Sequence, residues 1–245
     1  MSYSETDHTQ APVSEAKPQA RRNGRRWFLV CMASVLLAIV AVGFAKSFYL
    51  RNIIYGRHAG SSHLPAYIVL HGIVLTLWFL LFLGQTLLVA SGRVRLHRSL
   101  GIAGAALAAV VFTLSMLVVV RSVARETPVV VLGDMALLLL FAILVAGGVW
   151  FRRKPDVHKR LMVIASISIV APAIARWPGA QSMLPISVVA PQLFLYAAVI
   201  LYDILSSRRV HPATAWGVAS YIVVVGVTVP LAFSKLGHTI VDALK

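Results

Sequence analysis

Seven long apolar runs, divided by short polar segments, constrain this chain more than any other feature it has. A helix rises 1.5 Å per residue, so roughly twenty residues cross the ~30 Å of hydrocarbon in a bilayer. Inside lipid the backbone must satisfy its own N–H and C=O groups, and runs of this length do so as helices. They cover residues 27–45, 64–90, 100–120, 128–151, 161–178, 186–205 and 213–233. The expected fold class is therefore all-α, a polytopic membrane bundle of about seven transmembrane helices forming one domain over 27–245. Residues 1–26, polar and then basic, are expected to be a disordered cytoplasmic tail. A hydrophobic fraction of 59% with only 13% charged residues excludes an ordinary soluble domain.

The net charge of +15 would suit nucleic acid if the basic residues formed one surface. They sit instead in short clusters between apolar runs, where the fitting partners are the lipid bilayer and its anionic phospholipid headgroups, with no nucleic acid. Lys and Arg number fifteen on the side of the N-terminal tail and eight on the other. The positive-inside rule then places the N-terminus inside and the C-terminus outside, in a bacterial inner (plasma) membrane. Gly24–Leu29 has a faint twin-arginine look, but no small-residue cleavage site follows, and an uncleaved first helix is expected. One cysteine, Cys31, permits neither a disulfide framework nor a thiolate metal site.

The polar segments on the N-terminal side repeat a pattern. Arg93-Val-Arg95-Leu-His97-Arg98 returns as Lys154-Pro-Asp-Val-His158-Lys159-Arg160 and, reduced, as Arg208-Arg-Val-His211. The histidines are 61 and 53 residues apart, so three degenerate hairpins behind one extra helix are expected. Cations beside a helix start suit an anion, which makes Arg95, His97, Arg98, His158, Lys159, Arg160 and His211 candidates for lipid phosphate. Topological anchoring at headgroup level explains the same residues without a ligand. A three-histidine metal site would be repelled by the surrounding cations.

Polar residues inside the runs are expensive and so mark functional candidates. His71, Trp78 and Gln85 are seven apart and share a helix face. His71, Asp134, Arg176 and Gln192 come from different helices at similar depth, and are expected to form one outer polar layer. Asp134 would pair with Arg176 and His71 would bond Gln192. A structural cluster joining helices is the alternative. Asp203, deeper in the chain, is expected to pair near the basic turns with Arg98 or His158. Gly101, Gly104, Ala105 and Ala108 form a small-xxx-small face expected to pack closely.

With these residues in view, the chain resembles a family of uncharacterised bacterial multipass inner-membrane proteins. The resemblance rests on His71-Gly-x5-Trp78-Phe with Gln85, on Gly92-Arg-x3-His97-Arg-x-Leu-Gly101 and on Val131-Leu-Gly-Asp134. It also rests on Pro155-Asp-Val-His158-Lys-Arg-Leu-Met162 and Ala175-Arg-Trp-Pro178, and spans roughly 60–180. It implies no established activity.

The favoured function is binding or transport of a small polar or anionic molecule, with His71, Gln85, Asp134, Arg176 and Gln192 as ligand-binding candidates. No catalytic residue or metal ligand is assigned. The alternative is a haem-binding redox protein of cytochrome b561-like type, not favoured because a bis-histidine haem needs two histidines at one depth. His58, His63 and His238 lie in outer segments, and the turn histidines could serve only at the membrane surface. Retinal-type sensing fails because none of the six lysines lies mid-span. Hydrolysis lacks both a Ser-His pairing and His-Glu-x-x-His.

Overall fold

The structure, a computed structural model, describes residues 16–54 and 64–245, without the side chains of 16–26 and 52. Among the described residues there are helices and no strands, and seven segments are long and apolar enough to cross a membrane. Helix α1 runs Ala16–Phe44 and continues through a π-helical turn, Ala45–Tyr49, into the short α2, Arg51–Ile54. Then follow α3 (Ala66–Ala90), α4 (Val94–Ser122), α5 (Pro128–Trp150) and α6 (Pro155–Ser168). After α6 come α7 (Ala171–Ile174), α8 (Ile186–Ser207), α9 (Pro212–Ala232) and α10 (Lys235–Ala243).

Three expectations need correction. Residues 16–26 are helical rather than a loose tail. Once the apolar run is helical, each added residue gains a hydrogen bond, and Ala, Arg, Gln and Lys propagate well. Pro18 is tolerated because first-turn N–H groups have no partner anyway. The part of the tail at 1–15, with His58 and His63, lies outside the described residues. The fifth span is broken between Ser168 and Ala171, since Pro172 cannot donate to the Ser168 carbonyl. The C-terminal segment carries an additional helix, α10, capped by Ser234, whose Oγ accepts from the Gly237 N–H at 3.1 Å.

The basic-His motifs are not loops. They are the first turns of α4 and α6, and His97 and His158 occupy the same fourth position in their helices. Pro155 and Pro212 sit at first helical positions, where a missing N–H does no harm. His211 differs in kind. It is the cap residue of α9, with its Nδ1 accepting from the Ala213 N–H at 3.1 Å.

The α6–α7 span is the axis of the bundle. Its most apolar stretch is 72% buried, against 22–44% for the other spans. It can therefore carry Ser166 and Ser168, whose hydroxyls bond back to the carbonyls of Met162 and Ala165. Three neighbours approach it at glycines. A Cβ on Gly148 would meet Met162 Sδ at 2.9 Å, and one on Gly217 would meet Ile164 Cδ1 at 2.8 Å. At Gly43 it would collide with the Ala173 carbonyl. The expected small-residue face on α4 is only partly used: Ala108 is buried, whereas Gly101 faces open space. Backbone cannot move aside as a flexible side chain can, so Gly43→Ala is expected to destabilise by about 1–3 kcal/mol. Gly101→Ala should be neutral. Thermal unfolding in detergent of the two variants beside the parent checks both.

The hairpin expectation holds for α3 with α4 and for α5 with α6, which pack extensively. The third hairpin is looser, because α9 packs mainly on α5 and α6 rather than on α8. The glycine at 217 explains the preference, since it lets α9 close on Ile164 of α6.

Candidate functional site

At the end of the bundle away from the basic-His turns, a cavity of about 320 Å³ opens among α1, α3, α4, α5 and the break after α6. His71, Asp134 and Arg176 all line it, as expected, and so do Ser115, Ser168, Arg125 and Glu126. Seven residues into α5, Asp134 lies roughly 10 Å along the helix axis from its start. Its carboxylate has no hydrogen-bond or ion-pair partner among the described residues. The expected bond to Arg176 is absent. Arg176 Nη1 donates to the Pro172 carbonyl at 2.6 Å, and the guanidinium lies 4.7 Å over the Phe44 ring. That carbonyl lies one turn back on the same stretch of chain, and the ring face holds the guanidinium plane. Burial lowers the Arg176 pKa below the ordinary guanidinium value, while the Asp134 and Glu126 carboxylates act through space to raise it. The group stays cationic.

His71 pairs with Ser115 of α4, Nδ1 to Oγ at 3.3 Å, and not with Gln192. The two residues belong to opposite sides of the packing: α3 lies on α1 and α4, whereas α8 lies on α6, α7 and α9. Gln192 is fully buried outside the cavity and serves the broken helix instead. Its Nε2 donates to the carbonyls of Ile167 (3.0 Å) and Ser168 (3.3 Å), and its Oε1 accepts from the Tyr221 hydroxyl at 3.0 Å. It holds α6, α8 and α9 together and is withdrawn as a ligand-binding residue.

Two cavity groups escaped the sequence reading. Ser47 Oγ is buried without a partner, and Tyr49 Oη sits 2.7 Å from Thr76 Oγ1. Both follow from the π-helical turn after Phe44, whose extra residue per turn shifts the side chains around the helix and brings Ser47 and Tyr49 to the cavity. Hydropathy alone does not report such a turn.

At the opposite end the polar groups form a structural joint. Asp203 accepts from Arg160 Nη2 at 2.5 Å and Nε at 2.9 Å, from Thr214 Oγ1 at 2.6 Å and from the His211 N–H at 3.1 Å. Its partner is thus Arg160 rather than Arg98 or His158. Arg160, 4% exposed and bonded also to the Asp156 carbonyl at 2.7 Å, is not available to lipid phosphate, which corrects its assignment. Lys159 is held by Asp156 at 2.6 Å. Arg95 and Arg98 are exposed. Burial, then the nearby Arg160 cation, lower the His211 pKa from its ordinary value, in keeping with a neutral ring that accepts as a helix cap.

Gln85 does not reach the cavity either. Its amide lies 2.5 Å from His97 Nδ1, clamping α3 to α4 at the turn end. His158 Nδ1 sits 2.8 Å from the Gly148 carbonyl, and the His97 and His158 rings meet at 6.2 Å between centres with planes 74° apart. No group of three or more His, Cys, Asp or Glu positioned for a metal ion exists among the described residues. Compared with models of known protein families, with curated proteins and with solved structures, this multipass chain matches none of them.

Proposed function

We propose that the protein binds or carries a small polar or anionic molecule through the cavity lined by His71, Asp134 and Arg176. One observation carries the reading: the Asp134 carboxylate faces that cavity unpaired, while the other carboxylate inside the bundle, Asp203, is saturated with donors. A carboxyl group left without a partner at membrane depth is retained at a cost, which points to a ligand that completes it. Arg51, Arg125 and Arg176 against Asp134 and Glu126 give the same wall a mixed field with positive excess, suited to a carboxylate or phosphate group that also carries a donor. The positive-inside count supports placing the basic-His turns in the cytoplasm and the cavity outside, in a bacterial inner membrane. Kinship with the uncharacterised inner-membrane family belongs to the same proposal and rests on the shared motifs.

Thermal unfolding of the detergent-solubilised protein against a panel of small carboxylates, amino acids and inorganic phosphate tests the site. At least one compound is expected to raise the parent Tm by several degrees, and Asp134→Asn or Arg176→Gln should remove the shift while leaving insertion intact. Equal shifts in parent and variants, or no shift with any compound, overturn the reading.

A further inference from the structure

We propose that the groove along α3 at the end of the basic-His turns holds one anionic phospholipid, with an acyl chain against α3 and the phosphate on Arg93. This is independent of the cavity at the other end.

Length and lining are the first argument. The groove has a volume of about 770 Å³ and is walled by Leu96 of α4 and Trp27 of α1. Leu77, Leu80, Gly84, Leu87 and Ser91 recur every three or four residues and form its floor on one face of α3. From Leu77 to Ser91 the helix rises roughly 21 Å, and one leaflet of a bilayer, headgroups included, is also roughly 21 Å deep. The floor thus runs the depth of one leaflet. It turns polar only at Ser91 and Arg93, at the level where a headgroup lies.

Gly84 interrupts the row of leucines. Among the described residues, a Cβ added there would meet nothing within 4 Å, so no neighbouring helix closes the notch. An apolar notch left empty forgoes dispersion contacts, and a methylene chain lying across Gly84 restores them.

Charge decides the occupant. The Arg93 guanidinium has no hydrogen-bond or ion-pair partner among the described residues, and Arg95 and Arg98 beside it are exposed. No carboxylate among the described residues lines the groove. At this end Asp156 is bound to Lys159, and Asp203 to Arg160. A second copy of the chain seated here by two-fold symmetry would bring the same cations against each other. A phospholipid brings the missing anion and the acyl chain in one molecule, and a guanidinium can hold two phosphate oxygens side by side. Trp27, 57% exposed, adds an amphipathic indole of the kind that sits at headgroup level. The motif residues His97 and Arg160 do not compete for the phosphate, since His97 lies against Gln85 and Arg160 against Asp203.

The test uses full-length protein in detergent, stripped of lipid and titrated with phosphatidylglycerol or phosphatidylcholine carrying brominated acyl chains, which quench tryptophan on contact. Phosphatidylglycerol is expected to quench the parent at about fivefold lower concentration, the effect of one cation at an anionic surface. Trp27→Phe should remove the saturable part of the quenching. Arg93→Gln should erase the difference between the lipids, whereas Arg93→Lys should keep it. So should Arg153→Gln, which removes an exposed cation outside the groove. Gly84→Phe fills the notch and should weaken quenching by both lipids severalfold. Equal quenching of the parent by the two lipids means unselective annular lipid and overturns the proposal. So does a preference that survives Arg93→Gln, quenching unchanged in Gly84→Phe, or light scattering that finds a dimer broken by Gly84→Phe.

Discussion

Asp203→Ala is expected to destabilise the protein by about 3–5 kcal/mol, because it leaves the Arg160 guanidinium buried without its counter-charge. Arg160 is 4% exposed and Asp203 fully buried, so water cannot replace the lost partner. The damage reaches three helices, since Asp203 of α8 also accepts from Thr214 of α9 and from the His211 N–H. Removing both charges is different. Arg160→Met with Asp203→Leu exchanges a desolvated pair for apolar packing, and such exchanges run from neutral to stabilising. The double variant should therefore recover most of the loss, less the bonds to Thr214 and His211. Equilibrium unfolding in mixed detergent–SDS micelles measures the four corners of this cycle. An Asp203→Ala loss below about 1 kcal/mol would show that the pair is solvated.

Gln192→Leu should cost roughly 2–4 kcal/mol, as each buried group left without a partner costs about 1–3 kcal/mol. Pro172 has no N–H for the Ser168 carbonyl, and the Gln192 amide makes up the deficit there and at Ile167. The substitution strips the Ser168 carbonyl and the Tyr221 hydroxyl together and leaves Ile167 with backbone donors alone. Tyr221→Phe removes one bond of the set and should cost only about 0.5–1.5 kcal/mol. If thermal unfolding gives the two variants the same loss, the amide does not stabilise the broken helix and its assignment fails.

Much of the architecture is legible in the sequence because crossing a membrane is nearly a one-dimensional problem. Length and hydropathy set each span, and the observed Ala66–Ala90, Pro128–Trp150 and Ile186–Ser207 lie within two residues of the expected limits. Misreadings fell where local chemistry competes with hydropathy. The helices α4 and α6 start six residues before the expected limits of 100 and 161, because their basic first turns interrupt the apolar run, although Pro155 at a first helical position carried the signal. The amphipathic α10 was missed because its apolar residues share one face instead of forming a run.

The candidate site divides in the same way. Polar residues at membrane depth announce themselves, and His71, Asp134 and Arg176 do line one cavity. Depth cannot tell which way a side chain points around its helix. Gln192, at a similar depth, turns to α6 and α9, while the motif residue Arg160 turns inward to Asp203.

The sequence by itself determined seven helical spans and the clusters that divide them, because transfer of each run from water to lipid depends on its own composition. Only the tertiary structure decided the partners. Arg160 rather than Arg176 is ion-paired, Asp134 is left open, and two histidines 61 residues apart stand ring to ring. The reason is physical: pairing depends on how each helix is rotated and how closely its neighbours approach. That is set by contacts such as Gly43 on Ala173 and Gly217 on Ile164, which lie far apart along the chain.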